Sequence, residues 1–172
     1  MWDTLVSGAA NESSLWRDAL RPGHERELVT IFSQLSDPRF ALGLETIYEG
    51  YLVHYGASRL FDPADADTAL LLGDYLYAHG LVRVAELRDV AAVADLSELI
   101  SLCSQLRAED ARGDGSLWAA TAALLGGGGL DEPRAALRLH GDFAPLDATA
   151  RSAAGDEAVD RVLAAHEGRL HS

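Results

Sequence analysis

The 172 residues contain a single cysteine, Cys103, so no internal disulfide can close and no thiol cluster can hold a metal. Its apolar, helix-patterned surroundings mark it as a buried, inert thiol. Basic residues are also few: 14 Lys and Arg stand against 27 Asp and Glu, for a net charge of −13. Such a chain repels polyanions, which excludes nucleic acid and anionic membrane surfaces as partners, and no basic run offsets the charge. Long hydrophobic runs are missing too. The longest uncharged stretch, "GSLWAATAALLGGGGL", is too short and too rich in glycine to span a bilayer. The start, "MWDTLVSGAANESS", lacks the basic and apolar regions of a signal peptide. A soluble, cytoplasmic protein with no integral membrane segment is expected. Isoleucine is scarce and aromatic residues make up 7%.

What remains is dominated by Leu and Ala. The chain is 48% apolar, enough for a real core in one domain of this size, and the composition favours helix over sheet. The expected fold is all-α, a compact helical bundle. Helices are predicted from about Ser13 to Leu20 and from Glu25 to Leu35, the latter with Leu28, Ile31, Phe32 and Leu35 at helical spacing. "SDP" (Ser36 to Pro38) breaks the pattern and starts a third helix, Phe40 to Leu60. A fourth, capped by Asp65 or Asp67, runs to about Leu87. A fifth covers Val90 to Ala108, and a short sixth covers Leu117 to Leu125. Four glycines, Gly126 to Gly129, then read as a flexible linker at 126–130. They are no phosphate cradle, since neither a preceding strand nor a following Lys or Ser/Thr is present. The expected division is a bundle at 1–125 and a dispensable C-terminal tail at 131–172, with one amphipathic helix from Glu157 to Leu170.

Two of these helices carry the functional argument. On a wheel of about 100° per residue, the fourth helix is apolar around most of its circumference, with His79, Arg83 and Glu86 gathered on one side. It reads as a central helix buried on nearly all sides. Asp74 then falls in the middle of the Leu70–Leu81 side, where a carboxylate needs a partner. Gly73 and Gly80 share another face and permit close approach of a neighbour. The third helix aligns Phe40, Leu44, Ile47, Tyr51, His54 and Ser58 along one stripe, with Glu45, Glu49 and Gly56 outside. His54 reads as a satisfied core histidine, and Asp74 is its candidate partner.

"LVH" (Leu52 to His54), followed at a distance by "LLLGDYLYA" (Leu70 to Ala78), resembles the front half of the trans-isoprenyl diphosphate synthases. There a helix reads roughly L-V-H-D-D-x-x-D, and a later helix carries G-D-x-L-x-x-x-A. The resemblance covers about Glu45 to Glu86 and implies a truncated version of that family's helical fold. In the family, aspartates one turn apart hold Mg²⁺ against a diphosphate leaving group. Here the corresponding positions are Tyr55, Gly56 and Arg59, none of them a carboxylate. The basic pair of the connecting loop is missing, and no second Asp-rich motif follows. Allyl transfer needs a neutralised diphosphate, so the chain alone is expected to be non-catalytic and to bind no cofactor. The family includes heteromeric enzymes whose small subunit lacks these motifs and helps to set product chain length. The resemblance therefore implies such a small subunit, with Mg²⁺ on a catalytic polyprenyl diphosphate synthase partner. Family dimers form through the region of the fourth and fifth helices, so Gly73, Tyr77, Gly80 and Val84 are the expected interface to that partner or to a second copy. Two other readings stay open: a stand-alone helical module binding an apolar ligand or a protein, and a helical protein whose resemblance is fortuitous.

Other chemistry finds no support. His140, His166 and His171 are isolated and make no zinc pattern. "GASRL" and "GDGSLW" both miss the nucleophile elbow. Glu109 and Asp110, like Glu12, Asp18, Glu25 and Glu27, read as solvated surface.

Overall fold

The protein was analysed as a computed structural model, which describes residues 1–170. The chain enters with α1 (Trp2–Glu12), a helix absent from the sequence prediction although Leu5 and Ala9, one turn apart, are its buried residues. Ser13 stops it in an extended conformation and caps α2 (Ser14–Asp18) by accepting from the Leu15 amide. The helix predicted over Glu25 to Leu35 does not form. Short 3-10 turns at Gly23–Glu25 and Phe32–Leu35 flank an irregular stretch, because the amides of Ile31 and Ser33 are taken by the Glu45 side chain instead of by a helical ladder. Leu28 and Val29 are exposed as a result.

After a turn capped by Asp37 with Pro38 in its first position, α3 spans Ala41–Tyr55 and α4 spans Ala66–Ala85. The third helix thus ends at Tyr55, one turn earlier than the pattern suggested. Asp65 caps α4 by accepting from the Thr68 amide at 2.7 Å. Then follow α5 (Val90–Ala108), α6 (Asp114–Ala123), α7 (Asp131–His140), α8 (Ala144–Ala154) and α9 (Asp156–Leu170), giving an all-α fold of nine α-helices among the described residues. No described helix is long and apolar enough to cross a membrane.

The tightest packing in the bundle joins α3 to α4. Gly43 and Gly50 lie on α3, Gly73 and Gly80 on α4, each pair seven residues apart as a helical face requires. A Cβ on Gly50 would sit 2.9 Å from the Gly73 carbonyl oxygen, and one on Gly80 would sit 2.9 Å from that of Gly43. The two backbones therefore approach closely at these glycines. Ile47 fills the space over Gly80, His54 the space over Gly73, and Val84 the space over Gly43. This corrects the expected interface. Gly73, Tyr77, Gly80 and Val84 are buried inside this chain, against α3, and are not available to a partner.

The C-terminal third also departs from expectation. The four glycines form an ordered turn: Gly126, Gly128 and Gly129 take positive φ, and the Gly126 amide donates to Asp95 at 2.9 Å. Arg134, buried on α7, donates to Asp95 at 2.8 Å and to Thr121 at 3.2 Å. Leu137, Leu146, Ala150, Val159 and Val162 join the same core cluster as Phe32, Tyr48 and Trp118. The described residues beyond the glycines thus form three packed helices that are part of the bundle. The sequence pattern anticipates only Glu157 to Leu170 as helix in this region; α7 and α8 are short, ten and eleven residues. A chain truncated after Gly129 should consequently lose its cooperative thermal transition by circular dichroism; a truncated form melting like the parent would show that the core does not need these helices.

Candidate functional site

The third helix ends where the synthase-like motif would begin, and Arg59 explains what replaces it. Gly56 closes α3, its amide bonded to the Leu52 carbonyl. The chain then folds back so that Arg59 enters the core, where it and its partners Glu45 and Glu49 are all fully buried. Arg59 Nη1 lies 2.6 Å from Glu45 Oε2, and Nε lies 2.8 Å from Glu49 Oε2. Burial opposes the guanidinium charge, but the Glu49 and Glu45 carboxylates overcome it and raise the Arg59 pKa. Arg59 also donates to the Val29 carbonyl at 2.7 Å and stacks over the rings of Trp2 and Tyr48. The remaining carboxylate oxygens are occupied as well: Glu49 accepts from Ser58 at 2.5 Å and from the Leu60 amide at 2.9 Å. Glu45 and Glu49, expected outside, are therefore at the centre. Their spacing on α3 places both on one face, and that face turns inward because a buried cation meets it.

A second polar cluster joins α3, α5, α6 and α9. His166 on α9 is buried, with Nδ1 2.9 Å from Tyr48 Oη and Nε2 3.2 Å from Asp114 Oδ2. Tyr51 donates its hydroxyl to the same Asp114 oxygen, and Arg107 Nε donates to Tyr51 Oη at 2.8 Å. Burial pushes both tyrosine hydroxyls far above the usual phenol range, and the Asp114 charge adds to the shift at Tyr51. Burial would also raise the Asp114 pKa. It is outweighed by hydrogen bonds from His166 and Tyr51 and by the charges of His166 and Arg107, which hold Asp114 well below the usual carboxylate range. With Asp114 ionised, every partner around it is a donor. Tyr48, Tyr51 and His166 are closed to solvent, so the cluster locks α9 onto α3 and α6. Sequence reading treated His166 as isolated; its partners stand 52 and 118 residues away, and no local pattern announces them. His171 lies outside the described residues.

The remaining anticipated pair does meet. His54 Nε2 is 3.3 Å from Asp74 Oδ1, and the His54 ring packs between Tyr55 and Tyr77. The surroundings differ from expectation, however. The Asp74 side chain is 67% exposed, because the glycine face of α4 turns toward α3 and the Leu70–Asp74 side turns to solvent. Burial lowers the His54 pKa from its ordinary 6.5, partly offset by the charge and hydrogen bond of Asp74. Tyr55 borders a shallow groove of about 410 Å³ with Ser104, Arg107, Ala108 and Asp110.

The Mg²⁺ that the family motif would hold does not fit these residues. Tyr55 and Gly56 offer no carboxylate, and Arg59 is a cation already enclosed by two. No group of three or more His, Cys, Asp or Glu among the described residues is placed to hold a metal. Cys103 is buried, and burial raises its pKa well above the ordinary thiol value, so it is no ready nucleophile. No protein-family model, no curated protein and no solved structure matches the chain. The resemblance therefore rests on the residues of α3 and α4.

Since the folded state keeps His54 neutral at pH values where an unfolded chain protonates it, this group contributes stability above about pH 6.5 that is lost as pH falls. By NMR, the His54 ring should titrate below the ordinary imidazole value, and Asp74→Asn should lower the midpoint further. Because Asp74 is mostly exposed, its removal should cost only about 0–1 kcal/mol. An upward shift of the midpoint in Asp74→Asn would contradict the pairing.

Proposed function

We propose that this chain is a non-catalytic small subunit that docks on a catalytic polyprenyl diphosphate synthase subunit and helps to set product chain length. The observation that carries the proposal is the disposition of α4. This helix bears the "GDYLYA" motif (Gly73 to Ala78), sits antiparallel on the "LVH" helix through the reciprocal glycines, and yet leaves apolar side chains of its other face in solvent. A helix with one face fixed in the core and an apolar remainder outside is built to meet something else. The position of the Asp-rich motif supports the non-catalytic half of the reading. Tyr55 and Gly56 stand where Mg²⁺ ligands would be, and the two carboxylates bonded to Arg59 are neutralised by it. Any Mg²⁺ chemistry then belongs to the partner, whose diphosphate site must be complete without help from this chain.

The test is co-expression with a full-length synthase subunit carrying both Asp-rich motifs, taken from the same genome. The pair should co-purify, the purified small chain alone should give no prenyl transfer with allylic diphosphate and isopentenyl diphosphate, and the complex should make a product length distribution different from that of the large subunit alone. Turnover by the isolated chain that EDTA abolishes would refute the non-catalytic assignment. Failure of every such synthase to co-purify would refute the partner.

A further inference from the structure

We infer that the outer face of α4 binds an amphipathic helix of a partner protein, one whose apolar stripe is bordered by basic side chains. The inference rests on the reading of this chain as a partner-binding subunit and specifies the chemistry of what it binds. Leu70, Leu71 and Val82 are 56%, 55% and 55% exposed, three large apolar side chains on one helix. Leu71, Tyr75, Ala78 and Val82 recur at the spacing of a single helical stripe. Ala78 is exposed and Tyr75 half-buried, so the middle of the stripe is low and the two ends are raised. That profile suits a helix laid along it, as in helix-in-groove recognition.

Charge selects the occupant. Asp67, Asp74 and Glu86 are the exposed charged residues of this face and its C-terminal cap. The cation of α4 itself, Arg83, is only partly exposed and turns its guanidinium toward Gly8 of α1. Arg88 lies beyond the helix, in the turn before α5. A second copy of the chain is a poor occupant. A two-fold antiparallel pairing centred on the middle of α4 would bring Asp67 of one copy toward Glu86 of the other, and like charges so juxtaposed oppose association. The chain as a whole carries −13, which adds to the repulsion. A helix with Lys or Arg beside its apolar stripe meets the opposite situation at each of these positions.

The experiment uses the full chain and a synthetic probe, a labelled helical peptide about five turns long with a Leu stripe bordered by Lys, and its counterpart bordered by Glu. Binding is read by fluorescence anisotropy at near-physiological salt, where long-range attraction is screened. The parent should bind the Lys-bordered peptide and not the Glu-bordered one. The double variant Leu71→Glu/Val82→Glu, on exposed positions and checked for parental helicity, should bind the Lys-bordered peptide at least about tenfold more weakly. Leu139→Glu, an exposed apolar position on α7, should bind like the parent. The double variant is more acidic than the parent, so mere charge attraction predicts tighter binding, and equal or tighter binding would overturn the inference. It would also be overturned by absence of binding to the parent, by equal binding of the two peptides, or by parent self-association in sedimentation that the double variant abolishes. Peptide binding without synthase co-purification would uphold this face and remove the synthase reading; co-purification without peptide binding would do the reverse.

Discussion

A cation buried between two carboxylates holds the N-terminal half of this molecule together. Glu45 and Glu49 project from the same face of α3, and Arg59 returns from the loop beyond α3 to lie against both. Desolvating three charges is costly, and the arrangement survives only because nearly every polar atom finds a second partner. Those second partners are what organise the surroundings. Glu45 holds the amides of Ile31 and Ser33, so the irregular segment before α3 is pinned where a helix would otherwise run. Glu49 and Ser58 hold the amides of Leu60 and Phe61. This directs the chain toward the isolated bridge with Leu20 and toward the small apolar cluster of Leu5, Trp16, Leu72 and Leu76.

The same constraint decides which faces of the two central helices look inward. With the glutamates inside, the glycines of α3 face α4, and the reciprocal glycines of α4 must face back. Ile47, His54 and Val84 fill that contact, and Leu70 and Leu71 at the start of α4 and Val82 near its end are left outside. The opposite flank of α3 presents Tyr48 and Tyr51 to Trp118 and His166, closing the bundle over α6 and α9. The surface proposed on α4 is thus the complement of a filled interior. The helix buries Gly73 and Gly80 together with Leu72, Leu76 and Val84, and leaves Leu70, Leu71 and Val82 outside.

Much of this was legible in the residues and some of it could not be. The long helices α4 and α5 announced themselves through apolar period and through an acidic cap at Asp65 or Asp67, and Asp74 stood as a candidate partner of His54, although the helical wheel could not set the two helices against each other. The inward direction of Glu45 and Glu49 was not legible. A Glu at helical spacing reads as a solvated face unless one knows that an Arg ten residues onward turns back to meet it. The orientation of α4 failed for a related reason: a helix apolar on nearly all sides does not say which side is inside, and only the matching glycines on α3 decide it. A signal was present, since Gly43 and Gly50 share the spacing of Gly73 and Gly80. The Tyr48–His166–Asp114 cluster joins three distant segments and left no local trace.

The central claim is that Arg59 and its two glutamates form a structural lock where the resemblance would place a metal site. Its most direct test is the denaturant-unfolding free energy of Arg59→Met, compared with the triple variant Arg59→Met/Glu45→Gln/Glu49→Gln. Removing the cation alone strands two carboxylates in the core, which should cost about 3–5 kcal/mol, and neutralising both glutamates in the triple variant should restore a substantial part of that loss. An Arg59→Met protein as stable as the parent, or a triple variant less stable than Arg59→Met, would contradict it.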